Sequence, residues 1–397
     1  MLDLKDKTKC CGCGACANIC PKQCISMQTD EEGFLYPYIE QSQCVNCGKC
    51  NLVCSFRLNQ KQRKINAGKY LDYKEGQFET PITYAVKHQT LAIRMASRSG
   101  GMFTALSNET LKNGGSVYGC VLNEEFLAVH IRADNVSARD KMRGSKYIQS
   151  NISCIFPLVK EDLQNDKHVL FSGTSCQIAG LKKYLGRDYP KLLCVDIVCH
   201  GVPSSIVWKS YLSYMETKHK SPVKAAEFRN KKDFGWKSHV ETLFFENGNK
   251  ISSKIFTSLF YSHIFLRPSC YCCPYKDIIH PGDITLADYW GIDKAAPGFN
   301  DDKGVSLVLL NNKKGTNAFD IVKGKIVFYP TRIEESLQPP LLHPFNAPLD
   351  RKIMWVLFYK TNFSNFMKFY YMREFIKRIK NKIHRVVNKF SNFHINH

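Results

Sequence analysis

The chain has 397 residues, 18 of them cysteine, with 44% hydrophobic and 12% aromatic content and a formal charge of +21. That length predicts two or three domains, and the apolar content excludes wholesale disorder. The charge is uneven: the last 47 residues hold eleven Lys/Arg against one acid, Glu374, so the body is only mildly basic and a nucleic-acid binder is the weaker reading.

Eighteen cysteines read as disulfides in an exported protein and as metal or redox groups in a reducing compartment. The opening stretch Met1-Leu2-Asp3-Leu4-Lys5-Asp6-Lys7 has no apolar h-region, and no run of about 18 uncharged apolar residues follows anywhere. A cytoplasmic chain is therefore expected, at most peripheral at the inner face of the membrane.

Two cysteine runs open the chain. The first is Cys10-x2-Cys13-x2-Cys16-x3-Cys20-Pro21, and the second is Cys44-x2-Cys47-x2-Cys50-x3-Cys54. Three thiolates two residues apart let a short loop curl round one 4Fe–4S cubane, and in the bacterial version of this run the fourth cysteine serves the other cluster. The expected ligand sets are Cys10, Cys13, Cys16 and Cys54 for one cluster and Cys20, Cys44, Cys47 and Cys50 for the other. Structural zinc also uses Cys-x2-Cys pairs, but two triplets with exchanged fourth ligands suit two cubanes better. Cys11 and Cys24 fall outside the spacing and read as bystanders. Short strands are expected over 24–27 and 35–39 around the turn Asp30-Glu31-Glu32-Gly33. Residues 1–57 thus predict an α+β, ferredoxin-like two-cluster domain. The polar, aperiodic stretch 58–80 reads as a linker.

From about Pro81 strands and helices alternate. Strands are expected over 82–87, 116–122, 127–133, 169–171 and 192–198, with helices over 101–111, 177–185 and from about Ser204. Glu246-Asn247-Gly248-Asn249 is a hairpin turn. The pattern predicts a larger α/β body with a mostly parallel sheet. Cys176 and Cys199 each follow an apolar strand, at the edge where open α/β sheets place their sites, and Cys270-x2-Cys273 has metal-ligand spacing. Buried thiols are the competing reading of these four. Cys120, Cys154, Cys194 and Cys272 read as core residues.

This body resembles the coenzyme F-420 hydrogenase/dehydrogenase beta-subunit family of iron–sulfur flavoproteins. The resemblance is carried, in order, by Ser97-Arg98-Ser99-Gly100-Gly101-Met102-Phe103-Thr104, Arg143-Gly144-Ser145-Lys146-Tyr147 and Gly173-Thr174-Ser175-Cys176-Gln177-Ile178-Ala179-Gly180. It continues through Asp196-Ile197-Val198-Cys199-His200-Gly201-Val202-Pro203, Phe228-Arg229-Asn230-Lys231, Arg267-Pro268-Ser269-Cys270-x2-Cys273 and Asp283-Ile284-Thr285-Leu286-Ala287-Asp288-Tyr289-Trp290-Gly291. It implies FAD and a third 4Fe–4S cluster, the latter on Cys176, Cys199, Cys270 and Cys273. Residues 81–160 would be the flavin-binding part and 161–345 the C-terminal part. For the flavin, the helix start at Ser99, Gly100, Gly101 and Thr104 would favour a phosphate, with Ser145 and Lys146 beside it; the resemblance alone adds Asp288 and Trp290. His200 reads as a capping or core histidine, and no catalytic residue is assigned.

Residues 346–397 are expected to form a basic helical tail. Phe366, Phe369, Met372, Ile376, Ile379, Ile383, Val387 and Phe390 recur every three or four residues on one face. Lys and Arg fill most of the remainder, which suits an anionic membrane surface. A helix packed on the body with a solvated basic face is the plainer reading.

The resulting expectation is an iron–sulfur flavoprotein oxidoreductase. It would pass electrons between a two-electron carrier, a small molecule such as a deazaflavin or another protein, and one-electron partners. The competing readings are a non-catalytic electron-carrying subunit of a larger complex and an iron–sulfur nucleic-acid binder.

Overall fold

A computed structural model describes residues 6–56, 74, 76–152 and 154–393. The expected linker over 58–80 falls largely outside these residues. Its last part is no loose tether, because Gln77 Nε2 donates to the Gly282 carbonyl at 2.7 Å and Asn312 Nδ2 donates to Gln77 Oε1 at 2.6 Å.

The N-terminal module is built on the hairpin β1 (Ile25–Thr29) and β2 (Leu35–Ile39), paired antiparallel from Ile25↔Ile39 to Thr29↔Leu35. Asp30 closes its turn, its carboxylate accepting from the amides of Glu32 and Phe34, while Gly33 takes the left-handed φ of +82° that the turn requires. Two short helices, Ala15–Ile19 and Lys49–Leu52, flank the hairpin. Each is opened by a glycine in the left-handed region, Gly14 (φ +71°) and Gly48 (φ +73°). These glycines hold the same place in the two cysteine runs, between the second and third thiol. There a residue with a Cβ would resist the reversal that turns both sulfurs inward.

The body is one eight-stranded sheet. Its strands are β3 (Ile82–His88), β4 (Ser116–Leu122), β5 (Ala128–Ala133), β6 (Val169–Thr174) and β7 (Leu192–Ile197), with β11 (Ile284–Asp288), β12 (Ser306–Leu310) and β13 (Ile326–Thr331). They run in the order β13-β3-β12-β11-β7-β6-β4-β5. The centre, β4-β6-β7-β11, is parallel, and both flanks are antiparallel. The sheet is therefore mixed, with a parallel core narrower than strand–helix alternation suggests. At one flank β4 and β5 are joined by residues 123–127, too short for a crossover helix, so the pair must be a hairpin. A separate antiparallel sheet, β8 (Val223–Glu227), β9 (Glu241–Phe245) and β10 (Lys250–Ser253), contains the expected turn at 246–249.

Helices cover both faces. Met102–Lys112 packs Ala105 and Leu106 with Val117, Leu170 and Val308. Ser175–Leu185 joins Ile178 and Leu181 to Phe156 and Phe171 in a second cluster. The helix starts at Ser175, two residues earlier than expected, because Thr174 and Gln177 form a capping box. At the C-terminus, Arg351–Lys360 is followed by the helix Phe363–Phe393. The first turns of the latter are core: Phe366, Met367 and Tyr370 are buried with Phe265, Trp355 and Phe358.

Candidate cofactor sites

Because β6, β7 and β11 are parallel neighbours, with Thr174 opposite Ile197 and Ile197 opposite Leu286, their carboxyl ends lie at one edge. Cys176 follows the first, Cys199 the second and Trp290 the third. The 3-10 turn Pro268–Cys272 brings Cys270 and Cys273 to the same place.

Three recesses follow, and each is ringed by four of the twelve expected ligands. Cys10, Cys13, Cys16 and Cys54 line one of about 400 Å³. Cys20, Cys44, Cys47 and Cys50 line an outer one of about 430 Å³. Cys176, Cys199, Cys270 and Cys273 line a third, in the body, of about 480 Å³. Among the described residues no three His, Cys, Asp or Glu side chains are arranged to hold a metal ion. Each set of four cysteines lines one common space, which suits a polynuclear cluster.

The donor chemistry fits as well. Burial raises the thiols of Cys10, Cys16, Cys199 and Cys273 and pushes Cys270 up to about 12. At these five cysteines burial disfavours the thiolate until a cation neutralises it, so ligation and deprotonation are coupled there.

Two cysteines read as bystanders lie inside this arrangement. Cys24 is buried, 3.3 Å from the Cys20 sulfur, and belongs to the rim of the outer recess. Cys11 lines both the first recess and the body recess. Its thiol lies within hydrogen-bonding reach of the Cys13 sulfur on one side and the Cys176 sulfur on the other. That contact first of all lowers Cys13, and brings Cys176 down to about 7. No spacing rule could have found Cys11, because the Cys11–Cys176 contact exists only when the module sits on the body. Of the four cysteines read as core, Cys194 is fully buried, whereas Cys154 and Cys272 are exposed.

Several polar contacts hold the module on the body. Arg267, buried at 1% exposure, donates through Nε to the Cys10 carbonyl at 2.8 Å and through Nη2 to the Leu35 carbonyl at 2.9 Å. Ser204 and Ser205 hydroxyls donate to the carbonyls of Glu32 and Gly33. Arg351 pairs with the Glu32 carboxylate.

The residues expected at the flavin divide into two groups. Asp288, at the end of β11, accepts from Arg229 Nη1 at 2.6 Å and from Trp236 Nε1 at 2.8 Å. Burial opposes its ionisation, yet Arg229 and Arg98 hold its carboxyl below the usual range. Trp290 stacks on Trp236 with ring centres 5.2 Å apart and lies beside His239, with the Arg229 guanidinium 5.2 Å from its ring. Arg98 closes the group. Its Nε stands 3.7 Å from Asp288, and among the described residues neither Nε nor Nη1 has a hydrogen-bond partner although both are buried. Lys231 is buried nearby, donating to the carbonyls of Arg94 and Lys303. Burial, then Arg98 and Arg94, bring its ammonium down to about 7. An excess of buried cations with orphaned donors is the environment an anionic group such as a flavin pyrophosphate needs.

The other group is engaged within the chain. The Gly100 amide donates to Ser306 Oγ at 2.9 Å, and a Cβ at Gly100 would collide with the Val86 carbonyl, so packing against β3 and β12 already explains this glycine. Gly101 opens the helix with φ +95°, and Ser99 Oγ donates to the Val305 carbonyl. Thr104 is fully buried and accepts from Arg143 Nε. Lys146, next to Ser145, spends its ammonium on the carbonyls of Lys141, Arg143 and Gly144. Arg98, Arg229 and Lys231 were present in the family-like stretches but carried no assigned role.

Comparison with known proteins matches residues 166–335 to the family described as the carboxyl-terminal part of the coenzyme F420 hydrogenase/dehydrogenase beta subunit, and residues 9–57 to the 4Fe-4S dicluster domain. A 45-residue stretch is 42% identical to an uncharacterized ferredoxin of Methanocaldococcus jannaschii, covering 11% of this chain and 57% of that relative. The chain therefore spans little more than half the length of this curated relative. Among solved structures, a chain of the F420-reducing NiFe hydrogenase complex from Methanosarcina barkeri is similar at 20% identity and a TM-score of 0.45, over 66% of this chain and 84% of that one.

Proposed function

We propose that this chain, which belongs over residues 166–335 to the coenzyme F420 hydrogenase/dehydrogenase beta-subunit family and carries a 4Fe-4S dicluster domain at its start, is a self-contained electron relay. Cys176, Cys199, Cys270 and Cys273 would hold a cluster in the body. Cys10, Cys13, Cys16 and Cys54 would hold the next, and Cys20, Cys44, Cys47 and Cys50 the outermost. The group formed by Arg98, Arg229, Lys231, Asp288 and Trp290 would hold FAD. When bound, 4Fe–4S clusters carry single electrons and a flavin exchanges pairs, so together they connect a two-electron carrier to one-electron partners.

One observation carries this reading: the body recess and the first recess share Cys11 and Phe56 as lining, so the sites stand in series and not scattered. The outer recess, with exposed Cys47 on its rim, is the terminus from which a partner protein would draw or supply electrons. A deazaflavin such as coenzyme F-420 is the small-molecule carrier the family suggests. The oxidoreductase chemistry resides in the flavin group, and an electron-carrying subunit without its own substrate is the alternative.

Combined iron, sulfide and flavin quantitation of anaerobically prepared protein tests both. The expected content is about twelve irons per chain with matching sulfide and about one flavin. Full iron without flavin would favour the electron-carrying alternative, and a colourless zinc protein would overturn the relay.

The tail supplies a second partner surface. Beyond its buried first turns, the helix Phe363–Phe393 exposes Met372, Phe375, Ile376, Ile379 and Ile383. Lys377, Arg378, Lys380 and Lys382 flank them, equally exposed. Among the described residues no helix is long and apolar enough to cross a membrane. Large apolar side chains bordered by cations on an exposed helix complement the surface of an anionic bilayer, where each Lys/Arg contributes about 1 kcal/mol. The relay would thus be held at such a surface.

A further inference from the structure

We infer that the guanidinium of Arg267 sets the reduction potentials of the two cluster sites on either side of it, an inference that rests on the relay proposed above. Arg267 caps the 3-10 turn that carries Cys270, so the chain ties it directly to the body site, whose recess it lines. Its side chain reaches the other way. Besides the carbonyls of Cys10 and Leu35, it donates to Gln149 Oε1 at 2.8 Å, and Nη2 stands 3.6 Å from the sulfur of Cys10. The rings of Tyr36 and Phe34 enclose its faces at 4.2 and 5.6 Å.

Among the described residues every hydrogen-bond partner of this cation is neutral, an amide or carbonyl oxygen or a thiol, and none is a carboxylate. A buried cation without a counter-ion is costly. The negative charge missing from its surroundings is the one thiolate-ligated clusters would bring to both flanking sites. In a dry junction a positive charge favours the more reduced, more negative state of each cluster, and a hydrogen bond to a ligating sulfur acts in the same sense. Arg267 therefore raises both potentials. The outer site, ringed by Cys20, Cys44, Cys47 and Cys50, is lined by other residues and stays where its own surroundings put it.

The test uses the full chain, reconstituted anaerobically, as Arg267→Gln and Arg267→Lys. Iron and sulfide are measured first, then the potentials by redox titration followed by electron paramagnetic resonance, with Cys47→Ala identifying the outer cluster. The expected result is native iron content, two signals moved to lower potential in Arg267→Gln, a smaller move in Arg267→Lys, and the outer signal unmoved. If the Gln variant alone loses iron, a lowered potential in the Lys variant still supports the inference. Unchanged potentials with full iron overturn it, as does loss of iron from both variants, which makes Arg267 a strut. An unaltered chain that binds no iron sinks the relay itself and not this inference alone.

Discussion

Gly180 lies against Cys13: a Cβ built on this glycine would stand 2.8 Å from the Cys13 sulfur. The helix Ser175–Leu185 that presents Cys176 to the body recess therefore also forms the floor under a ligand of the neighbouring one. Alanine at mid-helix is favoured over glycine by about 1 kcal/mol, whereas overpacking costs about 1–3 kcal/mol. The clash should win. Gly180→Ala is expected to displace Cys13 and lower the iron content by about four atoms per chain, with the circular dichroism of the body unchanged. Retention of full iron at native stability would show that Cys13 has room to move.

The orphaned donors of Arg98 make a separable prediction for the flavin. Arg98→Met removes a buried cation whose Nε and Nη1 find no hydrogen-bond partner among the described residues, and Arg229 duplicates its contacts with Asp288 and the Trp236 carbonyl, so the empty protein should lose little stability. Flavin content should fall at least tenfold, a loss of about 1.4 kcal/mol or more in binding, while iron stays at the native level. Because Lys231 sits at about 7 in the absence of an anion, flavin should also bind more tightly at pH 6 than at pH 8. A flavin affinity indifferent to both changes would place the cofactor elsewhere.

The tail separates into a structural and a surface-binding part at about residue 374. Phe366 and Tyr370 are buried, Tyr370 OH donates to the Ser258 carbonyl at 2.9 Å, and Arg373 pairs with Asp350 at 2.6 Å. Deleting 375–397 should abolish sedimentation with anionic vesicles and leave the thermal midpoint unchanged. Deleting 365–397 should destabilise the body, since loss of a buried aromatic costs about 3–5 kcal/mol. Vesicle binding that survives the shorter deletion would remove the membrane from the proposal.

A pH dependence follows from His130. Burial brings its imidazolium down to about 4, between Ser150 Oγ at 2.7 Å and the Ser172 carbonyl at 3.0 Å. The unfolded chain takes up a proton below about pH 6.5, the folded chain only near 4. Stability is thus complete above the former value and is lost as pH falls between the two, by on the order of 3 kcal/mol. Burial lowers His239 to about 4 and His200 to about 3, in the same direction. Urea unfolding at pH 7.5 and 5.0 should show the loss, and His130→Gln should reduce it. Equal stability at both pH values would contradict a buried neutral imidazole.

Local spacing was enough to read some of this architecture. Two runs of cysteines at fixed intervals specify thiols that a loop of a few residues must turn inward, so the three recesses contain the twelve sulfurs that spacing and family resemblance single out. Several body strands were legible as short continuous apolar runs, because strands such as β4 and β7 are buried along most of their length. What no interval encodes is contact between segments far apart in the chain. Cys11 meets Cys176 across 165 positions and Arg267 meets Cys10 across 257. Nor does the sequence encode that the Gly100 amide is spent on Ser306 Oγ and that this glycine packs against the Val86 carbonyl. The tail reads as one continuous stripe in the sequence, yet Phe366 and Tyr370 are buried whereas Met372, Ile376, Ile379 and Ile383 are exposed. Short-range spacing determined which N-terminal thiols share a recess; only the packing of module on body, through long-range burial and unneutralised charge, decided that the recesses adjoin.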